Sequence, residues 1–155
     1  MLDDLRIKEF SKDEARMLNP LQLALIGDGV FEVFIRNYIL TKNTSLSANK
    51  IHVKAIGYVK AKNQACIMHE IEAALDEEEE AIYKRGRNAK SPTVPKNAEV
   101  RDYRMATGFE TLIGYLYLIG NNERLQFIFN KSTEIIKWIF KGRRSIYDAR
   151  QIQKF

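Results

Sequence analysis

Residues 23–35 read LALIGDGVFEVFI, and residues 108–119 read GFETLIGYLYLI. Both stretches are strongly apolar, and each carries an acid near its middle, Asp28 in the first and Glu110 in the second. The pair Asn19-Pro20 precedes the first stretch and indicates a helix start, because Asn caps helices and Pro fits their first turn. We therefore predict one helix over about 20–40 and another over about 98–119. The apolar surface of the first is expected to include Leu21, Leu25, Val30, Phe34 and Ile35.

The remaining segments also favour helices. Helical patterning resumes from about 46 to 75, where Gly57 can divide it in two, and a short acidic helix is expected to begin at Asp76. A last helix is predicted over about 123–141. The segment NAKSPTVPKN (88–97) is polar, contains two prolines and predicts a loop. The fold class expected is an all-α domain of about six or seven helices.

Composition narrows the possible functions. The chain has 155 residues, a net charge of +5 and a single cysteine, Cys66, so neither an intrachain disulfide nor a cysteine zinc site is expected. No apolar run reaches the ~18 residues that span a bilayer, and the first residues do not resemble a signal peptide. We expect a cytoplasmic protein without a membrane partner. Residues 84–104 hold seven Lys and Arg against two acids, which favours a polyanionic partner such as nucleic acid.

Asp28 and Glu110 are unusual because an unpaired carboxylate in an apolar helix is costly to bury. The two could converge on one Mg²⁺ ion, which takes one or two carboxylates together with water and phosphate. Alternatively, each acid could cap a neighbouring helix or pair with Arg36 or Arg104. Glu32 lies one turn after Asp28 and could join the site, although a Glu32–Arg36 pair at i,i+4 is also expected. The residues alone leave these alternatives open.

Gly27 and Gly29 flank Asp28, and each costs about 1 kcal/mol relative to Ala inside a helix. This cost indicates that another part of the chain packs closely there.

Several segments resemble a known family. The stretch around Asp28 resembles the signature helix of the ribonuclease III endonuclease domain, and ATGFETLIGYLYL (106–118) resembles its second signature helix. The segments NPLQLALIGD (19–28), VKAKNQA (59–65) and KRGRNAKSPTVPKNAEVRDYRMATGFE (84–110) are similar to the compact branch of that family, which lacks a separate double-stranded-RNA-binding domain. The resemblance covers roughly residues 18–125. It implies an endonuclease domain over 1–142, followed by a basic C-terminal tail over 143–155.

The resemblance also implies an activity. It assigns Asp28 and Glu110 as catalytic residues and as ligands of Mg²⁺, with Mn²⁺ as a substitute. The expected enzyme is a homodimeric endoribonuclease that cleaves double-stranded RNA, with precursor 23S ribosomal RNA as its substrate. Leu25 matches a position near the two-fold axis of the family's dimer, although an intrachain core position also fits the pattern. RNA contacts are expected from the basic loop and the helix after it, through Arg85, Arg87, Lys90, Lys96 and Arg104.

The chain departs from the four-acid pattern of full-length ribonuclease III at two positions. Ala24 and Thr107 stand where that enzyme has further acids, as they do in the compact branch. These departures leave open the number of metal ions and whether Thr107 approaches a metal through water. They also support an alternative function, a non-catalytic double-stranded-RNA-binding or ribosome-assembly protein on a decayed nuclease domain. A helical protein whose basic loop binds an acidic protein surface is a third possibility.

Overall fold

The computed structural model describes residues 5–90, 96 and 99–141, and this part of the chain is helical. Seven α-helices follow one another in it: α1 (Lys12–Arg16), α2 (Pro20–Lys42), α3 (Ala48–Tyr58), α4 (Ala61–Ile71), α5 (Glu77–Arg87), α6 (Val100–Leu118) and α7 (Asn122–Phe140). A 3₁₀ turn, Glu72–Ala74, separates α4 from α5. The predicted all-α fold is confirmed, and Gly57 lies in the last turn of α3 rather than between α3 and α4.

The helix starts follow capping residues visible in the sequence. The Asn19 side chain accepts a hydrogen bond from the backbone N–H of Leu21, and Gln22 accepts one in return from the backbone N–H of Asn19. Asp76 and Glu79 form the same reciprocal arrangement at the start of α5. Each arrangement satisfies N–H groups that the first helical turn leaves without partners. The boundaries of α2 and α5 are therefore set locally.

The centre of the fold is the crossing of α2 and α6. A Cβ atom added to Gly27 would lie 1.8 Å from the backbone oxygen of Glu110, and one added to Gly114 would lie 1.9 Å from that of Leu23. No side chain fits at either position, so the two helices meet backbone to backbone. The expected close packing beside Asp28 is thus found at Gly27. At Gly29, by contrast, nothing lies within 4 Å of an added Cβ.

Aromatic side chains hold the other helices onto this crossing. The Phe31 ring from α2 meets Phe109 from α6 edge to face, with the centroids 5.2 Å apart. Phe34 stacks on Phe129 from α7 with a centroid separation of 4.1 Å. The bidentate ion pair of Glu79 with Arg124 joins α5 to α7. These contacts join α2 to α6, α2 to α7 and α5 to α7.

Leu25 does not belong to the intrachain core. It is 74% exposed, whereas Leu23, Phe31 and Ile35 of the same helix are fully buried. Of the residues predicted to form the apolar surface of α2, Leu21, Val30, Phe34 and Ile35 are at least partly buried. Leu25 lies on a different, exposed face of α2 from these four, because α2 has apolar side chains on two faces.

Two predicted features lie largely or wholly outside the described residues. The loop predicted over 88–97 is described only at 88–90 and 96, and the basic tail predicted over 143–155 is not described. Within the described residues, no helix is both long enough and apolar enough to cross a membrane.

Candidate active site

The crossing of α2 and α6 brings Asp28 and Glu110 into direct contact. Gly27, which precedes Asp28, touches the backbone of Glu110 itself. The two carboxyl groups share a hydrogen bond and are both partly buried. The convergence predicted from two separate stretches of sequence is therefore present, and the backbone of the two helices enforces it.

Burial and mutual repulsion change the acidity of this pair. Loss of solvent raises the pKa of Glu110 to about 8, and the nearby charge of Asp28 adds to that increase. The pKa of Asp28 is also raised, again mainly by burial and then by the charge of Glu32. Two carboxyl groups in hydrogen-bond contact do not ionise independently. Both shifts favour a pair that keeps one shared proton in the absence of a cation.

A third helix contributes a residue that the sequence analysis missed. The Gln64 side chain from α4 is 2% exposed, and its Nε2 donates a hydrogen bond of 3.3 Å to Oε1 of Glu110. The signal available was an amide pair, Asn63 and Gln64, standing before the apolar run of α4. Such a pattern indicates buried polar groups but not their partners.

Salt bridges to arginine do not explain the two acids. Arg36 pairs with Glu32 at 3.0 Å, as the i,i+4 spacing predicted. Arg104 is exposed on the first half of α6. The hydrogen-bond partners that the structure shows for Glu110 are Asp28 and Gln64. The alternative in which each acid is neutralised by one of these arginines is therefore wrong.

The donor set fits a hard divalent cation that keeps part of its hydration shell. Asp28 and Glu110 supply carboxylate oxygens, which such ions prefer. Among the residues that the structure describes, no group of three or more Asp, Glu, His or Cys side chains is placed to hold a metal. The charge of Glu32 raises the pKa of Asp28, but Glu32 does not join the pair as a third ligand. A site of this kind leaves positions for water and for phosphate oxygen.

The two positions that depart from the four-acid pattern carry no carboxylate substitute. Ala24 is buried. The hydroxyl of Thr107 donates to the backbone oxygen of Tyr103 at 2.9 Å, and Thr107 remains partly exposed. Thr107 lies one turn before Glu110 on α6.

The predicted RNA-contacting residues separate into two groups. Arg85 donates hydrogen bonds to the backbone oxygens of Arg16 at 2.7 Å and Leu18 at 3.1 Å, so it ties α5 to the connection between α1 and α2. The others stay at the surface: Arg87 lies over the Tyr83 ring at 5.7 Å, and Lys90, Lys96 and Arg104 are exposed. Arg85 is exposed as well and Arg87 is half-buried, so the two groups differ in the hydrogen bonds of the Arg85 guanidinium and not in exposure.

A hollow with basic side chains in its walls lies along the first half of α6. Two adjoining cavities, of about 520 and 320 Å³, share Arg87, Asn88 and Arg104 in their walls. The smaller one also includes Lys90 and reaches Thr107, one helical turn from Glu110. Positive side chains therefore line a hollow that ends at Thr107, three residues before Glu110 on α6.

The outer face of α2 presents an apolar stripe. Leu25, Val33 and Leu40 follow one another at helical spacing and are exposed, as is the adjacent Ile26. Gly29 lies between Leu25 and Val33 with open space beside it. This surface, the α2 stripe, consists of Leu25, Ile26, Gly29, Val33 and Leu40. It begins one turn from Asp28.

The helical fold, with two acids in contact at the crossing of α2 and α6, was compared with known families. A family model described as Ribonuclease III domain matches residues 21–121, from the start of α2 to the end of α6. The chain belongs to the ribonuclease III domain family.

The relatives specify the branch. Mini-ribonuclease 3 of Clostridium tetani is 55% identical over 119 residues, which cover 77% of this chain and 79% of the relative. Mini-ribonuclease 3 of Enterococcus faecalis is 47% identical over 128 residues, covering 81% and 91%. A crystal structure of a Fusobacterium nucleatum protein matches with a TM-score of 0.69 and 34% identity, covering 77% of this chain and 94% of that one. The resemblance to the compact branch and the predicted enzyme class, an endoribonuclease, are confirmed.

Proposed function

We propose that this chain is a Mg²⁺-dependent endoribonuclease that hydrolyses phosphodiester bonds of double-stranded RNA, using Asp28 and Glu110. The observation that carries the proposal is the contact between these two carboxyl groups at a crossing too close for any side chain at Gly27 or Gly114. A fold with no use for the pair would gain stability by replacing it with apolar side chains.

Asp28 and Glu110 would hold the cation, with Mn²⁺ as a substitute for Mg²⁺. When bound, Mg²⁺ polarises a phosphodiester and makes hydroxide available near neutral pH. The chain's own part is to present two carboxylates in a fixed arrangement and to give up the proton that the pair shares. The positive charge of the bound cation would then be balanced by the two carboxylates and by RNA phosphate.

Duplex RNA fits the charged surface better than a small substrate does. Proteins recognise A-form RNA mainly through phosphates, 2′-hydroxyls and overall shape, because its major groove is too narrow to read. The surface formed by Arg87, Lys90, Lys96 and Arg104 is suited to phosphate contacts and extends toward Thr107. Arg85 is left out of this surface because its guanidinium already serves backbone oxygens.

Cleavage of both strands of a duplex calls for two sites, and the α2 stripe supports a homodimer. Isolated exposed apolar residues are common, but four exposed apolar side chains on one helix, with Leu25 74% exposed, fit an interface better. We place Leu25 at the two-fold axis. As the physiological substrate we propose precursor 23S ribosomal RNA in the cytoplasm, which rests on the resemblance to the compact branch.

A non-catalytic role on a decayed nuclease domain is less well supported. Ala24 and Thr107 lack acids, but the pair that would bind the cation is intact and its pKa values are perturbed. Perturbed pairs of carboxyl groups of this kind are typical of functional sites. In a domain that no longer needed catalysis, the two acids that are costly to bury would be the first residues to be replaced.

The decisive experiment compares Asp28→Asn with Asp13→Asn. Asp13 is an exposed acid on α1 that pairs with Arg16, so its replacement tests a change of charge without a change at the site. We expect Asp28→Asn to abolish Mg²⁺-dependent cleavage of a duplex RNA under single-turnover conditions with saturating enzyme. The same variant should bind the duplex at least as tightly as the unmutated protein, because a negative charge near phosphate is removed. Cleavage at the unmutated rate by Asp28→Asn would show that the pair is not the catalytic centre.

A further inference from the structure

Gln64 is a buried amide whose side chain reaches the site from a third helix. Its Nε2 donates to Oε1 of Glu110 at 3.3 Å, and the residue is 2% exposed. We propose that Gln64 is a positioning residue for the cation site: it holds the Glu110 carboxylate in its ligating orientation while leaving its negative charge intact. This inference rests on the proposed function, since it concerns the same site.

The first step in the argument is the freedom of the Glu110 side chain. A glutamate carboxylate rotates broadly about its last torsion angle unless a partner holds it. The backbone of Glu110 is fixed by the contact with Gly27, but that contact does not orient the carboxyl group. A donor that engages one oxygen restricts this rotation. Gln64 is placed to do so.

The second step is the rigidity of Gln64 itself. Lys60, at the N-cap of α4, makes no side-chain cap, but Asn63 donates from Nδ2 to the backbone oxygen of Gly57 at 2.7 Å. This hydrogen bond braces the turn between α3 and α4 directly beside Gln64. After it, Ala65, Ile67 and Met68 are fully buried. The Gln64 amide is therefore held on a well-packed helix, and the turn that leads into this helix is fixed by a hydrogen bond.

The third step is the chemical nature of an amide. A Lys or Arg in place of Gln64 would neutralise Glu110 and compete with a cation for its oxygens. An apolar residue would leave the buried Oε1 without a donor, which is costly. A neutral donor satisfies one lone pair and preserves the charge, as groups hydrogen-bonded to metal ligands commonly do.

The competing explanation is that Gln64 only fills space between α4 and α6. The two explanations differ in what Gln64→Met should change. Met matches Gln in length and flexibility but has no N–H donor. If Gln64 only fills space, cation affinity stays the same. If it positions Glu110, affinity falls while the fold is retained.

The experiment titrates metal-free protein with Mn²⁺ in the absence of RNA, by calorimetry, and follows the melting temperature in parallel. We expect Gln64→Met to weaken Mn²⁺ binding about 10- to 100-fold, the range usual for loss of a residue that supports a metal ligand. The Mg²⁺ concentration for half-maximal cleavage should rise by a similar factor, with most of the rate recovered at saturating Mg²⁺. Met68→Leu, a volume-conserving change at a buried position of the same helix, should leave both values unchanged.

A second variant, Gln64→Asn, retains the amide but shortens its reach, so it should also weaken Mn²⁺ binding even if Gln64→Met fails to fold. Unchanged Mn²⁺ affinity in a folded Gln64 variant would overturn the positioning role, provided that Asp28→Asn loses binding. Mn²⁺ binding that is absent in the unmutated protein, or equal in Asp28→Asn, would instead overturn the proposed metal site. The two failures are therefore distinct.

Discussion

Glu110 is the residue whose chemistry depends most on its surroundings. Its carboxyl group has a pKa of about 8 because it is buried beside Asp28, compared with an ordinary value of 4.5. A carboxyl group whose pKa is higher in the folded than in the unfolded chain holds its proton more tightly when folded. The contribution of this group to the free energy of unfolding is therefore fully present below about pH 4.5. It is lost as the pH rises to about 8.

This sign gives a prediction for the metal-free protein. In the presence of a chelator, the melting temperatures of the unmutated protein and of Glu110→Gln are compared at each pH. The value for the unmutated protein should fall relative to that of the variant as the pH rises from 5 to 8. Glu110→Gln keeps the shape of the side chain but cannot titrate, so it removes this contribution. Thermal unfolding of both proteins at matched concentrations measures the difference. A difference that is constant over this range would contradict the raised pKa.

Arg85 and Arg104 form a second comparison at the residue scale. Arg85→Ala should lower the melting temperature by a few degrees, because two hydrogen bonds from a charged group to backbone oxygens are lost. Arg104→Ala should leave the melting temperature nearly unchanged. It should weaken duplex RNA binding and reduce the slope of log affinity against log salt by about 0.7–0.9, the value for one phosphate contact.

The same measurements applied to Arg85→Ala serve as the control. Its salt slope should equal that of the unmutated protein, since two hydrogen bonds hold its guanidinium against the α1–α2 connection and keep it from a phosphate. A reduced slope in Arg85→Ala, with no loss of stability, would return Arg85 to the RNA-binding surface.

The α2–α6 crossing is the element on which the site depends. Gly27→Ala should destabilise the protein by about 1–3 kcal/mol or more, the range for overpacking, because the new Cβ would lie 1.8 Å from the Glu110 oxygen. It should also weaken Mn²⁺ binding by separating the carboxylates. Chemical denaturation and calorimetry measure the two effects.

Gly57→Ala provides the matched control for that change. Its Cβ would meet only the Phe140 ring, at 4.0 Å. Because Ala favours helices by about 1 kcal/mol over Gly, this variant should be as stable as the unmutated protein or slightly more so. Equal destabilisation by both substitutions would mean that the loss reflects glycine in general rather than the crossing.

Helices were predictable from the sequence because their signals are local. Asn19, Pro20 and Asp76 mark the starts of α2 and α5, and the convergence of Asp28 with Glu110 followed from two costly acids and a family resemblance. The contacts of Gln64 and Arg85 were not predictable. Gln64 meets its partner across 46 positions of sequence, and Arg85 bonds to backbone oxygens, which have no residue signature. Leu25 was ambiguous because a buried face and an interface are equally apolar.

For the whole molecule, the α2 stripe predicts the assembly state. Leu25→Asp should yield monomers with little cleavage activity, because a charge is not tolerated at an apolar interface. Val53→Asp makes the same change at an exposed valine of α3, outside the stripe, and should leave the dimer intact. Analytical ultracentrifugation at micromolar concentration measures both. An unmutated protein that sediments as a monomer would contradict the proposed dimer.

The backbone contact between Gly27 and Gly114 has a consequence for protein engineering. Most metal sites can be grafted onto a new scaffold by copying side chains onto suitable rotamers. Here the spacing of the two carboxylates depends on the close approach of the two backbones, so an Asp and a Glu placed on helices packed at the usual distance of about 8–10 Å would be spaced differently. The transplantable unit is the interlocked pair of helices, glycines included, and α4 would have to accompany it to supply the amide.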